Sequence, residues 1–266
     1  MWKQKVDAEK LRAVFLDDNP MERARVREAL PEVLVPELSE DKMLYVRNLH
    51  ELDCFDAPSL SEEDRKRASM YSAERKRRAG RELQSTGSKV ASVDNWLPTL
   101  QIKVLAEPLN KANLRRVGQL FNKTNQMNLT TRRMTESEIM KWESSRDRML
   151  WTYCISDKFG NSGLTGIASL EFQGNNALLT DYILSCRVMG KRIEETIVHQ
   201  IAEYARALDA KKLIAHYHST EKNTPCLEFW QRAGFLNEGN QIYTWDLGRR
   251  YPTPDAIELT VNHQDL

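Results

Sequence analysis

The sequence predicts a mixed α/β protein in which a largely antiparallel sheet is flanked by helices. Three strand-like runs follow one another closely, at 150–156, 164–172 and 177–184, and the short polar segments between them are typical of hairpin turns. An amphipathic helical pattern follows at 193–208, and an alternating run at 212–218 predicts a further strand. A meander followed by a helix and another strand indicates a sheet that is covered by helices.

The remaining elements of this region are short. We predict a strand at 102–105, a helix at 110–121, a helix at 225–233 and a strand at 242–246. Thr135 is followed three residues later by Glu138, which matches a capping box and predicts that another helix begins there.

The first 94 residues have a different pattern. An apolar run at 13–16 ends in a turn, a helix is predicted at 21–30, and a second strand is predicted at 33–35. Two strands and one helix cannot bury both faces of a sheet, so they need further partners. The charge-rich residues 58–83 predict a solvated helix or, alternatively, a docking surface for an acidic partner. Residues 84–94 are small and polar and predict a linker.

Composition excludes several classes of protein. The chain has 266 residues, and its 39 Lys and Arg against 38 Asp and Glu exclude a strongly basic nucleic-acid binder. The four cysteines are far apart and form no CxxC pair, so we expect neither a disulfide framework nor a metal site. No apolar run approaches the ~18 residues of a membrane span, and the start lacks a signal-peptide pattern. We therefore expect a cytoplasmic protein with no membrane partner.

The junction between the predicted strand at 177–184 and the following helix carries a candidate anion site. A helix N-terminus presents unpaired backbone N–H groups and the positive end of the helix dipole, which suits a phosphate. Gly190 permits close backbone approach, and Arg187, Lys191 and Arg192 add positive charge. An ordinary turn between a strand and a helix is the alternative interpretation.

The order of elements around this junction is similar to that of the GNAT acyltransferases. Residues 187–192 resemble the pyrophosphate loop of that family, except at Arg192, where glycine or alanine is usual. The resemblance implies two splayed central strands and a donor whose pantetheine arm pairs with the exposed strand edge along Leu184, Cys186 and Val188. The donor-binding residues that it implies are Leu184, Arg187, Val188, Gly190, Lys191, Arg192, Lys222 and Asn223.

Five segments resemble the FkbH-like family of polyketide and related pathways. They are residues 15–20, 120–133, 156–160, 185–190 and 220–223. Members of that family join a HAD-type phosphotransfer domain to a GNAT-like domain and load a glycerate-derived acyl unit onto an acyl carrier protein.

The chain departs from the FkbH-like pattern at its N-terminus. A HAD enzyme needs an early Asp-x-Asp motif, because the first Asp is the phosphoryl nucleophile. No Asp-x-Asp-x-Thr occurs here, and only the late acidic motif is present, as Asp17 and Asp18. We therefore expect residues 1–94 to be a vestigial HAD-like and charged helical region, 95–250 a GNAT-like acyltransferase domain, and 251–266 a C-terminal tail.

The candidate catalytic residues are two histidines, one carboxylate and one thiol. His216 and His218 share a face of the predicted strand, where one of them would act as the general base, or both would simply be solvated. Asp181 would orient a histidine or accept a proton, unless it is merely ion-paired. Cys186 would accept an acyl group transiently, unless it is an inert thiol beside the donor arm.

An acceptor pocket is predicted after the helix at 110–121, where uncharged amides suit a polar substrate and turn formation is the alternative. Its candidate residues are Asn125, Gln126, Asn128 and Arg132. The thiolate-protonating tyrosine of many GNAT enzymes is replaced by Trp230, and Tyr217 is the nearest alternative.

The sequence therefore predicts an acyltransferase of a secondary-metabolite pathway of polyketide or peptide type. It would move an acyl group from a carrier-protein phosphopantetheine thioester, or less favourably from coenzyme A, to an amine or hydroxyl of a small acceptor. The acyl carrier protein is the expected partner, and no permanently bound cofactor is expected. A non-catalytic carrier-protein-binding module and glyceryl loading onto the carrier are the alternatives.

Overall fold

The computed structural model describes residues 14–52, 72–73, 75–77 and 93–262. The chain divides into two compact units, residues 1–67 and residues 68–266. Most of the predicted charged helix at 58–83 and nearly all of the predicted linker at 84–94 lie outside the described residues. Within 58–83, residues 72–73 and 75–77 are helical.

The first unit contains two short α-helices, α1 (Pro20–Ala29) and α2 (Tyr45–His50). The helix predicted at 21–30 is thus confirmed, and the Asn19 side chain caps it by accepting from the backbone N–H of Met21 at 2.9 Å. Residue 13 of the first predicted strand lies outside the described residues. Over the described residues 14–16 and 33–35 the two predicted strands are wrong as strands, because they reduce to one parallel bridge between Val14 and Leu34. A single pair of extended residues is too short to form a stable sheet.

The second unit is built on one mixed sheet. Its strands are β1 (Ile102–Pro108), β2 (Met127–Asn128), β3 (Arg148–Asp157), β4 (Gly160–Gln173), β5 (Asn176–Leu184), β6 (Lys212–His216), β7 (Leu236–Asn237), β8 (Ile242–Asp246) and β9 (Ile257–Val261). Their order is β7–β8–β6–β5–β4–β3–β1–β9, and β2 pairs with β5 beside β6. The antiparallel meander β3–β4–β5 is confirmed, and the mixed, largely antiparallel sheet agrees with the predicted fold class.

Helices cover both faces of this sheet. They are α3 (Val93–Leu100), α4 (Leu114–Lys123), α5 (Glu136–Glu143), α6 (Ile193–Ala207) and α7 (Thr224–Arg232). Side chains of β5 alternate between two apolar cores: Tyr182 and Leu184 pack in the core that includes α6, and Ile183 packs in the core that includes α4 and α5. The predicted capping box is confirmed, because Thr135 and Glu138 bond reciprocally at the start of α5.

The segment expected to be a C-terminal tail contains an edge strand. Strand β9 runs parallel to β1, with Ile102 opposite Ile257 and Ala106 opposite Val261. Its five residues are only partly apolar, and its side chains alternate in exposure as expected at a sheet edge. A run of five residues with this pattern is too short to predict a strand from sequence unless the neighbouring strand, here β1, is already known.

The parallel strands β5 and β6 separate halfway along β5. They pair only from Asn176 opposite Lys212 to Leu179 opposite Ala215. At the point of separation, Thr180 is an extra residue on β5, because Leu179 and Asp181 lie opposite consecutive residues of β4. This β-bulge bends β5, and bulges are common beside active sites. The separation and the bulge together position the candidate site.

Candidate functional site

A pocket of about 310 Å³ lies where β5 and β6 separate. It is lined by residues from three parts of the chain: Thr130 and Arg132; Leu178, Leu179 and Thr180 of β5; His216 and His218. Three residues that the sequence predicted for the site, His216, His218 and Arg132, therefore meet in one pocket. The pocket combines an apolar floor with hydroxyl, imidazole and guanidinium groups, as is usual for small-molecule sites.

The two candidate histidines both reach the pocket, although the strand is shorter than predicted. Strand β6 ends at His216, and the backbone of His218 turns away to donate its N–H to the carbonyl of Leu129 at 2.9 Å. Both side chains are exposed. Among the described residues, neither imidazole has a hydrogen-bond or ion-pair partner, so both ring nitrogens are accessible to a substrate.

Asp181 lies beneath the pocket and is fully buried, with 0% of its surface exposed. Its carboxylate forms a bidentate ion pair with the guanidinium of Arg132 and accepts the hydroxyl of Thr130 at 3.2 Å. A carboxylate whose oxygens are bonded in this way does not act as a proton acceptor for a substrate. Asp181 is therefore better described as an ion-paired carboxylate than as a catalytic group. Its structural role is to position Arg132.

Arg132 is held from two sides. Its guanidinium pairs with Asp181 and lies over the ring of Trp142, 5.4 Å from the ring centroid. Its side chain is still 34% exposed and lines the pocket. The arrangement leaves a fixed guanidinium at the wall of the pocket, and the contact of Arg132 with an acceptor stays a prediction.

The edge of β5 beyond the bulge is occupied by residues 127–130, which we call the bridging segment. Met127 lies opposite Leu184 and Asn128 opposite Ile183 in antiparallel register, and the N–H of Leu129 donates to the carbonyl of Tyr182 at 3.0 Å. This edge is the one along which the GNAT resemblance places the donor's pantetheine arm. The predicted arm contact at Leu184 is therefore wrong in this structure, because the chain's own backbone pairs there.

The bridging segment is also bonded on its other side. The carbonyl of Leu129 accepts from the N–H of His218 at 2.9 Å, and the carbonyl of Asn128 accepts from the side-chain amide of Asn223 at 3.0 Å. The segment thus spans the gap between β5 and the chain that leaves β6. Met127, Asn128 and Leu129 are almost fully buried, so they form part of the domain core.

Two predicted binding residues hold the fold instead of a ligand. Asn128 is fully buried and bonds the backbone of Thr124 and Thr131, which contradicts its predicted contact to an acceptor. Asn223 is also fully buried, and its amide donates to the carbonyls of Asn128 and His218. The side chain of Asn223 is therefore not available to a donor as predicted, because both of its polar atoms are bonded within the protein.

The other predicted acceptor residues do not line the pocket. Gln126 is exposed, and the side-chain oxygen of Asn125 accepts from the guanidinium of Arg133, which agrees with a turn-forming role. Among the predicted donor residues, Lys222 is exposed. Cys186 is an exposed free cysteine at the start of a single helical turn, and it is not among the residues that line the pocket.

The predicted anion site at the start of α6 is already occupied by a side chain. The backbone N–H of Gly190 donates to Oε1 of Glu194 at 2.6 Å, and only 1% of Glu194 is exposed. Lys191 is buried and donates from Nζ to the carbonyl of Arg187 at 3.2 Å. Arg192 adopts the left-handed backbone, with φ of 58°, a conformation that favours glycine.

Val188 and Tyr217, two further predicted participants, are committed to the interior. The side chain of Val188 belongs to the apolar core, and the predicted contact of this residue with a donor arm stays a prediction. Tyr217 is buried, and its hydroxyl donates to Oδ1 of Asn223 at 2.7 Å. Trp230 is fully buried among aromatic rings. None of these three side chains is among the residues that line the pocket.

Two further properties concern the described residues only. They contain no group of three or more His, Cys, Asp or Glu side chains arranged to hold a metal ion. None of the described helices has the length and apolar character needed to cross a membrane.

No protein-family model matches the sequence, and no curated protein matches it. Among solved structures, the chain is similar to a domain from Methanocaldococcus jannaschii, at 16% identity and a TM-score of 0.42, over 55% of this chain and 99% of that one. It is similar to a spermidine/spermine N-acetyltransferase from Vibrio cholerae, at 16% identity and a TM-score of 0.41, over 57% and 95% of the two chains. It is also similar to the ribosomal-protein-S18-alanine N-acetyltransferase of Escherichia coli, at 8% identity and a TM-score of 0.41, over 54% and 94%.

Sequence reasoning missed two features that decide the chemistry of this site. The bridging segment has no strand-length pattern, because only two of its residues form β2. The role of Glu194 could have been predicted from the sequence. Glu194 and Glu195 place two carboxylates in the first turn of the helix whose N-terminus is expected to bind phosphate. Carboxylates at that position compete with an anionic ligand for the same N–H groups.

Proposed function

We propose that this protein transfers an acyl group to a small acceptor bound in the pocket between β5 and β6. The observation that carries this proposal is the position of His216 and His218, two accessible imidazoles beside the β-bulge at Thr180. A general base must lie within hydrogen-bond reach of the proton that it removes, and both side chains line the volume in which an acceptor would bind.

The reaction follows from these groups. An amine or hydroxyl of the acceptor attacks the thioester carbonyl carbon of the donor, so that a C–N or C–O bond forms and the C–S bond breaks. The proton lost by the acceptor passes to an imidazole nitrogen and then to water. The sulfur leaves as a thiolate, which is an acceptable leaving group, and takes a proton from solvent.

We favour His218 over His216 as the base. Two hydrogen bonds fix the backbone of His218. Its N–H donates to the carbonyl of Leu129, and its carbonyl accepts from the side-chain amide of Asn223. A base held in place loses less conformational freedom when the acceptor binds. His216 would then contact the acceptor from the end of β6.

The pocket favours an uncharged or anionic acceptor. No carboxylate is among the residues that line it, because Asp181 lies beneath and is neutralised by Arg132. A polycationic acceptor would therefore lack a counter-charge, whereas the guanidinium, imidazole and hydroxyl groups suit a carboxylate or hydroxyl.

We propose a carrier-protein phosphopantetheine thioester as the donor, in a secondary-metabolite pathway of the kind that the FkbH-like resemblance implies. Because the bridging segment pairs with β5, the donor arm would reach the pocket through its solvent-exposed side. The carrier protein itself would then supply contacts that coenzyme A takes from a phosphate-binding loop. We expect carrier-bound donors to exceed acyl-CoA by at least about tenfold in kcat/KM, which corresponds to about 1.4 kcal/mol.

The test is an intact-mass assay. Acylated carrier protein is incubated with candidate hydroxy acids and amino acids, with and without this protein, and loss of the acyl mass from the carrier is recorded together with formation of acylated acceptor. Acceptor-dependent loss that needs this protein supports the proposal. Loss that is equal without the protein, or no transfer with any acceptor, contradicts it.

A second candidate function is a non-catalytic module that binds an acyl carrier protein. It is favoured by the bridging segment, which occupies the strand edge that a donor arm would use. The two functions are separated by combining the mass assay with a binding measurement. Carrier binding without transfer supports the module, whereas transfer that is lost in a His216→Ala/His218→Ala double variant supports the enzyme.

A further inference from the structure

The loop before α6 has the form of a phosphate site, yet its key N–H group is bonded within the chain. The N–H of Gly190 points to Oε1 of Glu194 at 2.6 Å, and the residue is 1% exposed. The second carboxylate oxygen, Oε2, is buried and has no hydrogen-bond partner among the described residues. A buried carboxylate oxygen without a partner is costly, so its presence at this position calls for an explanation.

We propose that Glu194 takes the place of a donor phosphate in this loop and thereby makes the protein select against donors that carry a pyrophosphate. Glu194 is a specificity-determining residue in this proposal, since it touches the loop and not the reacting atoms. The inference rests on the proposed acyl transfer, because it names the donor class that the transfer uses.

Two physical effects exclude the pyrophosphate. The Glu194 carboxylate already accepts the N–H that a phosphate oxygen would need, so a phosphate must displace a bond that is internal to the protein. The negative charge of Glu194 also repels an anion at this N–H, because its Oε1 atom lies 2.6 Å from the Gly190 nitrogen. Lys191 does not restore the site, because it is buried and bonded to the carbonyl of Arg187.

The bridging segment does not discriminate between the two donor classes. Coenzyme A and a carrier-bound donor share the pantetheine arm, and the strand edge for that arm is taken by Met127 and Asn128 in either case. The donors differ beyond the arm, where a carrier-bound donor has a single phosphate and an attached protein surface and so depends less on this loop. The discrimination that we propose therefore rests on Glu194.

The experiment measures binding of inorganic pyrophosphate by calorimetry to the full-length protein and to three variants. Glu194→Gln keeps the size of the side chain and removes its charge, and Glu194→Ala frees the Gly190 N–H entirely. Glu195→Gln is the matched control, because it removes one charge from the same helical turn without touching Gly190. Thermal unfolding confirms that each variant is folded, and Glu194→Gln preserves the test if Glu194→Ala is unstable.

We expect pyrophosphate to bind at least tenfold more tightly to Glu194→Gln and Glu194→Ala than to the wild type, with a change of less than about twofold in Glu195→Gln. An equal gain in Glu195→Gln would overturn the proposal, since it would indicate a general charge effect. No gain in a folded Glu194 variant would overturn it too. These outcomes do not depend on catalysis, so they are distinguishable from a failure of acyl transfer in the mass assay.

Discussion

The two ends of the β5 edge that faces β6 differ in what they leave accessible. At the bulge, Thr180 and the two histidines line an open pocket with imidazole groups that have no partner among the described residues. At the C-terminal end of β5, next to the loop that precedes α6, the backbone of Tyr182, Ile183 and Leu184 is paired with the bridging segment. One strand therefore carries an end that can bind a substrate and an end that is closed by the protein itself.

This difference indicates where function is to be expected. Backbone N–H and C=O groups that are already paired within the core have little to gain from a ligand, since ligand binding would only exchange one hydrogen bond for another. Exposed side chains without partners lose no internal bond when a substrate binds. We therefore expect substitutions at the pocket to change turnover, and substitutions at the closed end to change stability or donor choice.

The largest expected effect is at the open end. Replacing His218 or His216 by alanine is expected to lower kcat by about 10²–10⁴ at whichever position supplies the general base. Because both side chains are exposed, the midpoint of thermal unfolding is expected to change little. Turnover is measured in the carrier-dependent mass assay.

The matched control for the histidine variants is His50→Ala, which removes an exposed imidazole from the other compact unit. It is expected to leave kcat unchanged. Full turnover in the His216→Ala/His218→Ala double variant would show that the base lies elsewhere and would remove the functional contrast between the two ends of β5.

The second effect is at the closed end and concerns stability. Asn223→Ala removes the amide that joins the carbonyls of Asn128 and His218 and accepts from Tyr217 and Thr220. Leaving several buried polar groups unpaired is expected to lower the free energy of unfolding by about 3 kcal/mol. Urea unfolding measures the change.

Gln126→Ala is the control for this variant, because Gln126 is exposed beside the bridging segment. It is expected to alter the free energy of unfolding by no more than about 0.5 kcal/mol. A loss for Asn223→Ala that is as small as that of the control would contradict the description of this end as closed by internal bonds.

The smallest effect is a pH dependence at Glu194. Burial raises the pKa of this carboxyl, although the N–H of Gly190 lowers it in part. The pKa of such an acid is higher in the folded state than in the unfolded state. Its contribution to stability is complete below the pKa of the unfolded state and is lost as the pH rises through the pKa of the folded state. Glu194→Gln lacks this loss, so it is expected to be more stable than the wild type at neutral pH, by on the order of 1 kcal/mol.

The measurement is thermal unfolding of both proteins between pH 4 and pH 8. The advantage of Glu194→Gln is expected to shrink as the pH falls toward the ordinary carboxyl pKa of 4.5 and below it, because the wild-type carboxyl becomes progressively protonated in both states. An advantage that is constant across this range would show that the charge of Glu194 is not what the interior disfavours.

Much of the second unit followed from local pattern. The meander β3–β4–β5 and the capping box of α5 were predicted because alternation and capping depend on residues close in the sequence. The two histidines were placed on one wall of a cleft, and they do meet in one pocket, although β6 ends at His216. The first unit was predicted less well, because the strands at 13–16 and 33–35 lack the neighbours that a sheet requires.

By itself, the sequence determined the class of the fold, the order of its main elements and the residue types available at the candidate site, since these depend on periodicity and on side-chain chemistry. The tertiary structure alone decided which groups remain accessible. Asn128, Asn223 and Gly190 have the composition of a binding site, yet their polar atoms bond partners within the fold. The partner is four residues away for Asn128 and Gly190, and 95 residues away for Asn223. A hydrogen bond to a ligand and a hydrogen bond within the fold require the same atoms, and only the position of the whole chain determines which one forms.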